Sequence, residues 1–231
     1  MGAEVPNSMN SVENLPEQKG SELEIKKYEE NAIFKGAHKT ERNMTPCGGG
    51  SSEKSTRHII KFISDMIAKY DLKSISDVGC GDFSWFNRVE LGGVEYTGYD
   101  INEIMLKQVR KNYPAFSFLK CDASDYEFPK TDLIICRDCL FHLHIDIANR
   151  ALSNFIASGS LYLMAPTFTW TNSNSIAESD TKGGYSARRY NMGIGPFNLG
   201  NPIEFIEEPT KKKRTFGMWK LNYDSIGDFQ L

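Results

Sequence analysis

A chain of 231 residues with a formal net charge of -3 is long enough for one well-filled domain and carries no overall field to gather nucleic acid or an anionic membrane. Its composition, 40% hydrophobic and 25% charged, is that of an ordinary globular domain, and it lacks the run of roughly 18 apolar residues that crossing a bilayer requires. Five cysteines (Cys47, Cys80, Cys121, Cys136 and Cys139) are an odd number without the dense, even spacing of a secreted disulfide framework; they predict reduced thiols in a cytoplasmic protein.

The opening M-G-A-E-V-P-N-S has no basic-then-apolar run of a signal peptide, and Pro6 stands where a myristoylation motif wants Ser or Thr. Residues 1–20 are polar and predict a mobile tail, because they cannot bury enough apolar surface to offset their ordering entropy. Over 21–52 the sequence predicts a short helix, with Leu23, Tyr28 and Ile33 as packing residues, followed by the Gly-rich turn C-G-G-G-S-S; this segment is expected to cover the site. The main domain is expected over 53–231.

Within it, Ile59, Ile60, Phe62, Ile63, Met66 and Ile67 recur at helical spacing and predict an amphipathic helix ending near Tyr70. Types then alternate: a strand S-I-S-D-V-G from Ser74, a short helix around Phe83 to Val89, a strand E-Y-T-G-Y-D and a helix from Asn102 to Tyr113. The strands F-S-F-L-K-C from Phe116 and T-D-L-I-I-C from Thr131 follow, then a helix over Ile145 to Ile156 and the strand S-L-Y-L-M-A-P. Such alternation predicts an α/β fold, a parallel sheet with helices on both faces. The polar stretch 168–200 reads as a long substrate loop, and I-E-F-I-E-E with R-T-F-G-M-W-K-L as an antiparallel hairpin at one sheet edge.

Ligands of an open parallel sheet bind beyond the carboxyl ends of its strands. The first strand ends D-V-G-C-G-D, where Gly79 and Gly81 let the backbone turn tightly; the second ends at Asp100, placed to accept hydrogen bonds from ribose hydroxyls; the third ends C-D-A. Together they predict a nucleoside-type ligand. A dinucleotide would want a long helix opening near Ser84, but bulky Trp85 and Phe86 follow at once, which favours a single nucleoside.

D-V-G-C-G, Asp100 and C-D-A resemble the signature regions of class I S-adenosylmethionine-dependent methyltransferases, over roughly residues 53–221. The resemblance implies a doubly wound, mostly parallel seven-stranded sheet closed by the antiparallel hairpin, and S-adenosylmethionine as cofactor. It places Asp77, Gly79 and Gly81 beside the methionine part, Asp100 at the ribose, Asp122 and Ala123 at the adenine, and Cys80, Ile101 and Arg137 among the cofactor contacts. G-G-G-S-S-E-K-S-T-R, P-F-N-L-G-N-P-I-E-F-I-E-E and F-G-M-W-K-L are similar to a bacterial group of small methyltransferases associated with surface polysaccharides.

C-R-D-C-L-F-H-L-H, from Cys136 to His144, gathers two cysteines and two histidines. His142 and His144 are too close in sequence for a zinc knuckle, and Cys136 belongs to a buried apolar run, so no metal is expected. In the resembled family this loop faces the transferred methyl, which makes Asp138 and His142 candidates to orient or deprotonate an acceptor hydroxyl, with Phe141 beside the acceptor. A helix-capping carboxylate and a packed histidine are the structural alternatives. Arg188 and Arg189, flanked by Tyr185 and Tyr190, are candidate acceptor contacts, since guanidinium groups clamp phosphate or carboxylate; a solvated loop is the alternative. Lys211 to Arg214 read as a solvated hairpin edge, Trp170 as part of the loop and Trp219 as core.

The expected activity is methyl transfer to an oxygen of a small polar acceptor, sugar-like or phosphorylated, with no nucleic-acid or membrane partner and the oligomeric state open. Methylation of protein or RNA, and a module that binds an adenosyl ligand without chemistry, are the competing readings.

Overall fold

The computed structural model describes residues 47–174, 179–180, 187–209 and 213–221. The tail over 1–20, the helix expected after Ser21, Tyr185, Lys211 and Lys212 lie outside the described residues.

Helix α1 spans Glu53–Tyr70 and buries Ile59, Phe62, Ile63, Met66 and Ile67, as the spacing predicts. Asp71 adopts a left-handed conformation (φ 51°) that ends the helix, and the chain enters β1, Ser74–Val78. There follow β2 (Glu95–Asp100), α2 (Glu103–Asn112), β3 (Ser117–Lys120), β4 (Leu133–Ile135), α3 (Ile145–Ala157) and β5 (Tyr162–Thr167). The short pair β6 (Ser179–Asp180) and β7 (Ala187–Arg188) interrupts the long polar stretch, and the hairpin β8 (Glu204–Glu207) and β9 (Thr215–Lys220) completes the sheet. Asn102 caps α2 by accepting a hydrogen bond from the Met105 N–H at 3.1 Å, which fixes where that helix begins.

The seven-stranded sheet runs β3-β2-β1-β4-β5-β9-β8. β1 pairs in parallel with β2 and β4, and the strands beyond them, β3 and β5, join in parallel too; β9 joins β5 antiparallel and carries β8 at the edge. Strand order reverses between β1 and β4, so a crevice opens at their carboxyl ends.

Side chains of a strand alternate between faces, and β4 displays this directly. Leu133 and Ile135 pack with α1 residues and with Leu106 and Val109 of α2, whereas Ile134 and Cys136 pack with Ala148, Ala151, Leu152 and Phe155 of α3. Both faces are apolar and both are covered, which is why the strand reads as a continuous hydrophobic run.

Two expectations change. The helix expected over Phe83 to Val89 is a single 3-10 turn, Phe86–Arg88, because Phe83 takes φ 57° and directs its ring into a cluster with Phe86, Tyr96, Tyr113, Phe116 and Phe118. The polar stretch after β5 is anchored in the core at its second half, where Tyr190, Met192 and Phe197 are buried against the α3 side of the sheet. Asn174 and Asn191 tie it internally: the Asn174 side chain donates to the Asn191 carbonyl at 2.9 Å and accepts from the Asn191 N–H at 2.8 Å. No helix among the described residues is long and apolar enough to cross a membrane.

Candidate active site

The turn after β1 is held to β2 from both sides. The N–H groups of Gly79 and Cys80 donate to the Tyr99 carbonyl at 2.8 and 3.0 Å, and the Gly81 N–H donates to the Asp100 carboxylate at 3.0 Å. Gly79 (φ 77°) and Gly81 (φ 59°) both occupy the left-handed region, where any other residue would be strained. A Cβ on Gly79 would fall 2.7 Å from Cys139 Cβ, and one on Gly81 would fall 2.5 Å from Cys47 Sγ, so the turn is also closely covered.

Asp100 accepts on Oδ2 from Gly81 and on Oδ1 from the Asn102 N–H at 2.9 Å. Each oxygen keeps a lone pair for a ligand hydroxyl. Burial raises its carboxyl above the ordinary value, and the backbone donors of Asn102, Gly81 and Ile101 oppose that. Asp77, also buried, accepts from the Tyr96 hydroxyl at 2.8 Å; burial pushes its carboxyl from 3.8 up to about 7. Asp122 binds the Ser124 N–H and hydroxyl through Oδ1 alone, at 2.9 and 2.8 Å, and the Ala123 carbonyl accepts from Asn154. The Cys80 side chain is buried, its thiol packed beside Gly98 and Phe118, so only its backbone belongs to the turn.

A second set of side chains meets where β4 ends and β9 begins. Arg137 is 4% exposed, lies 5.2 Å over the Trp85 ring, donates to the Gly50 carbonyl at 3.2 Å and pairs with Asp138 at 3.0 Å and Glu208 at 3.7 Å. Arg214 closes the ring with bonds of 2.7 Å to Asp138 Oδ1 and 2.5 Å to Glu208 Oε2. This corrects the expectation of a solvated edge at Arg214: its guanidinium turns inward, while Lys213 is exposed. The sequence offers no local sign of it, since Glu207 and Glu208 are indistinguishable until the strand register buries one of them.

Both oxygens of Asp138 are therefore held by guanidinium groups, and with φ 58° the residue folds the loop back against the sheet instead of capping α3. His144 stands at that helix start, its Nδ1 3.1 Å from Asp146. Phe141 and His142 form the 3-10 turn Leu140–His142, ring centroids 4.3 Å apart, and Arg214 lies 5.7 Å over Phe141. Arg188 donates to the His142 carbonyl at 3.1 Å, the Tyr190 hydroxyl donates to the Leu143 carbonyl at 2.9 Å, and Arg189 lies 5.7 Å over Trp170. The long stretch thus braces the loop after β4. Leu140, Phe141, Ala165, Pro166, Phe168, Tyr190 and Met192 line a small recess with room for about one water molecule. Among the described residues, no three His, Cys, Asp or Glu side chains converge as a metal-binding group.

Residues 75–158 match a family described as a methyltransferase domain. The match covers β1 through α3, which contribute the G-x-G turn, Asp100, Asp122 and the loop from Arg137 to His142.

Solved structures share the fold at low identity. The N-methyltransferase NodS from Bradyrhizobium japonicum, in complex with S-adenosylhomocysteine, has a TM-score of 0.60 at 9% identity, covering 86% of this chain and 98% of that one. The 1,6-didemethyltoxoflavin-N1-methyltransferase of Burkholderia thailandensis gives 0.60 at 12%, covering 91% and 93%. Magnesium protoporphyrin IX methyltransferase from Synechocystis with bound S-adenosylhomocysteine gives 0.59 at 15%, covering 89% and 95%. The seven-stranded sheet with its antiparallel closing hairpin is the fold of these methyltransferases. No curated protein sequence matches the chain.

Proposed function

We propose that the protein transfers a methyl group from S-adenosylmethionine to an oxygen of a small acceptor bound against the loop after β4. The observation that carries this reading is the Asp100 carboxylate, fixed by Gly81 and Asn102 with lone pairs left over, beside a G-x-G turn inside a methyltransferase domain. The residues present fit an adenosyl group: a buried carboxylate for ribose hydroxyls, a second at Asp122 with Oδ2 unused by Ser124, and a tight turn whose Gly79 and Gly81 carry no side chain of their own.

When bound, the cofactor supplies an electrophilic methyl on a sulfonium sulfur. What the chain must add is alignment of the acceptor oxygen with that methyl and a place for its proton. We assign the proton to His142, on the turn next to Phe141, and to Asp138 the task of holding that turn in place through Arg137 and Arg214. Arg188 supports the same turn through the His142 carbonyl.

The test is calorimetric titration of S-adenosylhomocysteine into wild type and Asp100→Ala, followed by incubation with methyl-labelled S-adenosylmethionine and a fractionated metabolite extract. Tight binding that Asp100→Ala weakens about tenfold or more, with label entering the small-molecule fraction, is the expected result. Label confined to protein or RNA would overturn the acceptor class, and binding without any turnover would favour a module that only senses the ligand.

A further inference from the structure

The residues before α1 do not lead straight into the helix. Residues 47–52 run from the turn after β1 to the loop after β4, the two elements on either side of the crevice where the strand order reverses. At the first end the Asp82 N–H donates to Cys47 Sγ at 3.2 Å, the Cys47 N–H donates to Asp82 Oδ2 at 3.5 Å, and the Cys47 thiol donates to Met105 Sδ of α2 at 3.7 Å. At the second end Arg137 donates to the Gly50 carbonyl at 3.2 Å, and a Cβ on Gly50 would fall 2.9 Å from Asp138 Oδ2. Between the two the chain makes a single 3-10 turn, Gly49–Ser51, which buries Ser51 and is held at its Gly49 carbonyl by the Ser55 hydroxyl at 2.9 Å.

We propose that residues 47–52 form a strap closed across the crevice over the adenosyl ligand, and that Arg137 is the positioning residue that latches it, so that the ligand enters and leaves only when the strap lifts. This rests on the function proposed above, which puts the adenosyl group in that crevice.

The two ends are held differently. Sulfur is a weak hydrogen-bond partner, so the contacts of Cys47 are the ones that part first. The Gly50 end is held by a guanidinium that is 4% exposed, and charge-assisted bonds are the stronger kind. Both Nη groups of Arg137 are engaged by Gly50, Asp138 and Glu208, so Arg137 acts on the ligand through the strap. Glycine suits position 50 because a β-carbon there would press on the Asp138 oxygen that Arg137 holds at 3.0 Å. Loops that close over a bound ligand in this way set the rates at which it arrives and departs.

In the full chain, Gly50→Ala opens the latch by pressing on Asp138 Oδ2 without removing a charge, and Cys47→Ala releases the opposite end. Association and dissociation of labelled S-adenosylhomocysteine are timed for wild type and both variants. Both rate constants are expected to rise, about tenfold in Gly50→Ala and about threefold in Cys47→Ala, while affinity changes little. A merely structural loss would raise dissociation alone, so association at the wild-type rate in both variants would overturn the strap. Cys47 supplies a second readout: its alkylation by N-ethylmaleimide is followed by mass spectrometry of the tryptic peptide N-M-T-P-C-G-G-G-S-S-E-K, while the buried Cys80 and Cys136 report any unfolding. Saturating S-adenosylhomocysteine is expected to slow Cys47 alkylation in wild type about tenfold or more; faster alkylation would mean that the strap competes with the ligand instead of covering it, and would overturn the proposal. If Gly50→Ala exposes Cys80 and Cys136, Cys47→Ala and the wild-type alkylation decide. Failure of all three proteins to bind the nucleoside would sink the proposed function and the strap with it, whereas binding with unchanged rates would sink the strap alone.

Discussion

Arg214 Nη1 lies 2.7 Å from Asp138 Oδ1 across 76 positions of sequence, joining the start of β9 to the loop that follows β4. The same guanidinium holds Glu208 at 2.5 Å, and Glu208 is 4% exposed. Two acids and two arginines thus neutralise one another in a nearly dry setting, where removing a single partner strands a charge.

Replacing Arg214 by Met should therefore destabilise the protein by about 3–5 kcal/mol in urea unfolding. The double change Arg214→Met with Glu208→Met should cost clearly less than the sum of the singles, because no charge is left buried alone. Additive costs would mean that the pair is not coupled.

Asp77 gives a pH signature. Its folded-state value of about 7 lies above the ordinary 3.8, so the folded protein binds this proton more tightly than the unfolded chain. Stability from this group is fully present below about pH 4 and is lost as pH rises to about 7. Wild type compared with Asp77→Asn should show this difference, on the order of 2–4 kcal/mol across that window. Parallel stability curves for the two proteins would contradict it.

Gly79→Ala meets two obstacles at once: a φ of 77° and a Cys139 Cβ at 2.7 Å. A loss of about 1–3 kcal/mol is expected from the backbone alone. Pairing it with Cys139→Gly should recover only the contact part, leaving S-adenosylhomocysteine binding weaker than in wild type by calorimetry.

His142→Ala should lower turnover roughly a hundredfold or more while leaving S-adenosylhomocysteine affinity close to wild type. A fall in nucleoside affinity of similar size would instead make His142 part of the cofactor site. Single-turnover kinetics at saturating cofactor separates the two.

Much of this protein was legible locally. β1, β2, β3 and β5, the helices α1, α2 and α3, and the turn at Gly79 and Gly81 are all stated by periodicity and by glycine placement, because each depends on neighbours within a few residues. The 3-10 turn after Phe83 was not legible, since its conformation is set by aromatic rings from β2, β3 and the end of α2. Nor was Arg214, whose basic neighbours resemble any solvated hairpin.

By itself the sequence determined the alternation of strands and helices, and the acids at the strand ends, since hydrophobic period and backbone freedom are properties of short segments. Only the tertiary structure decided that Asp138 is bound by Arg137 and Arg214, that Tyr96 donates to Asp77, and that Tyr190 is buried against the α3 side of the sheet. Those pairings join residues far apart in sequence, and the free energy of a buried charge depends on partners that only the closed sheet brings within reach.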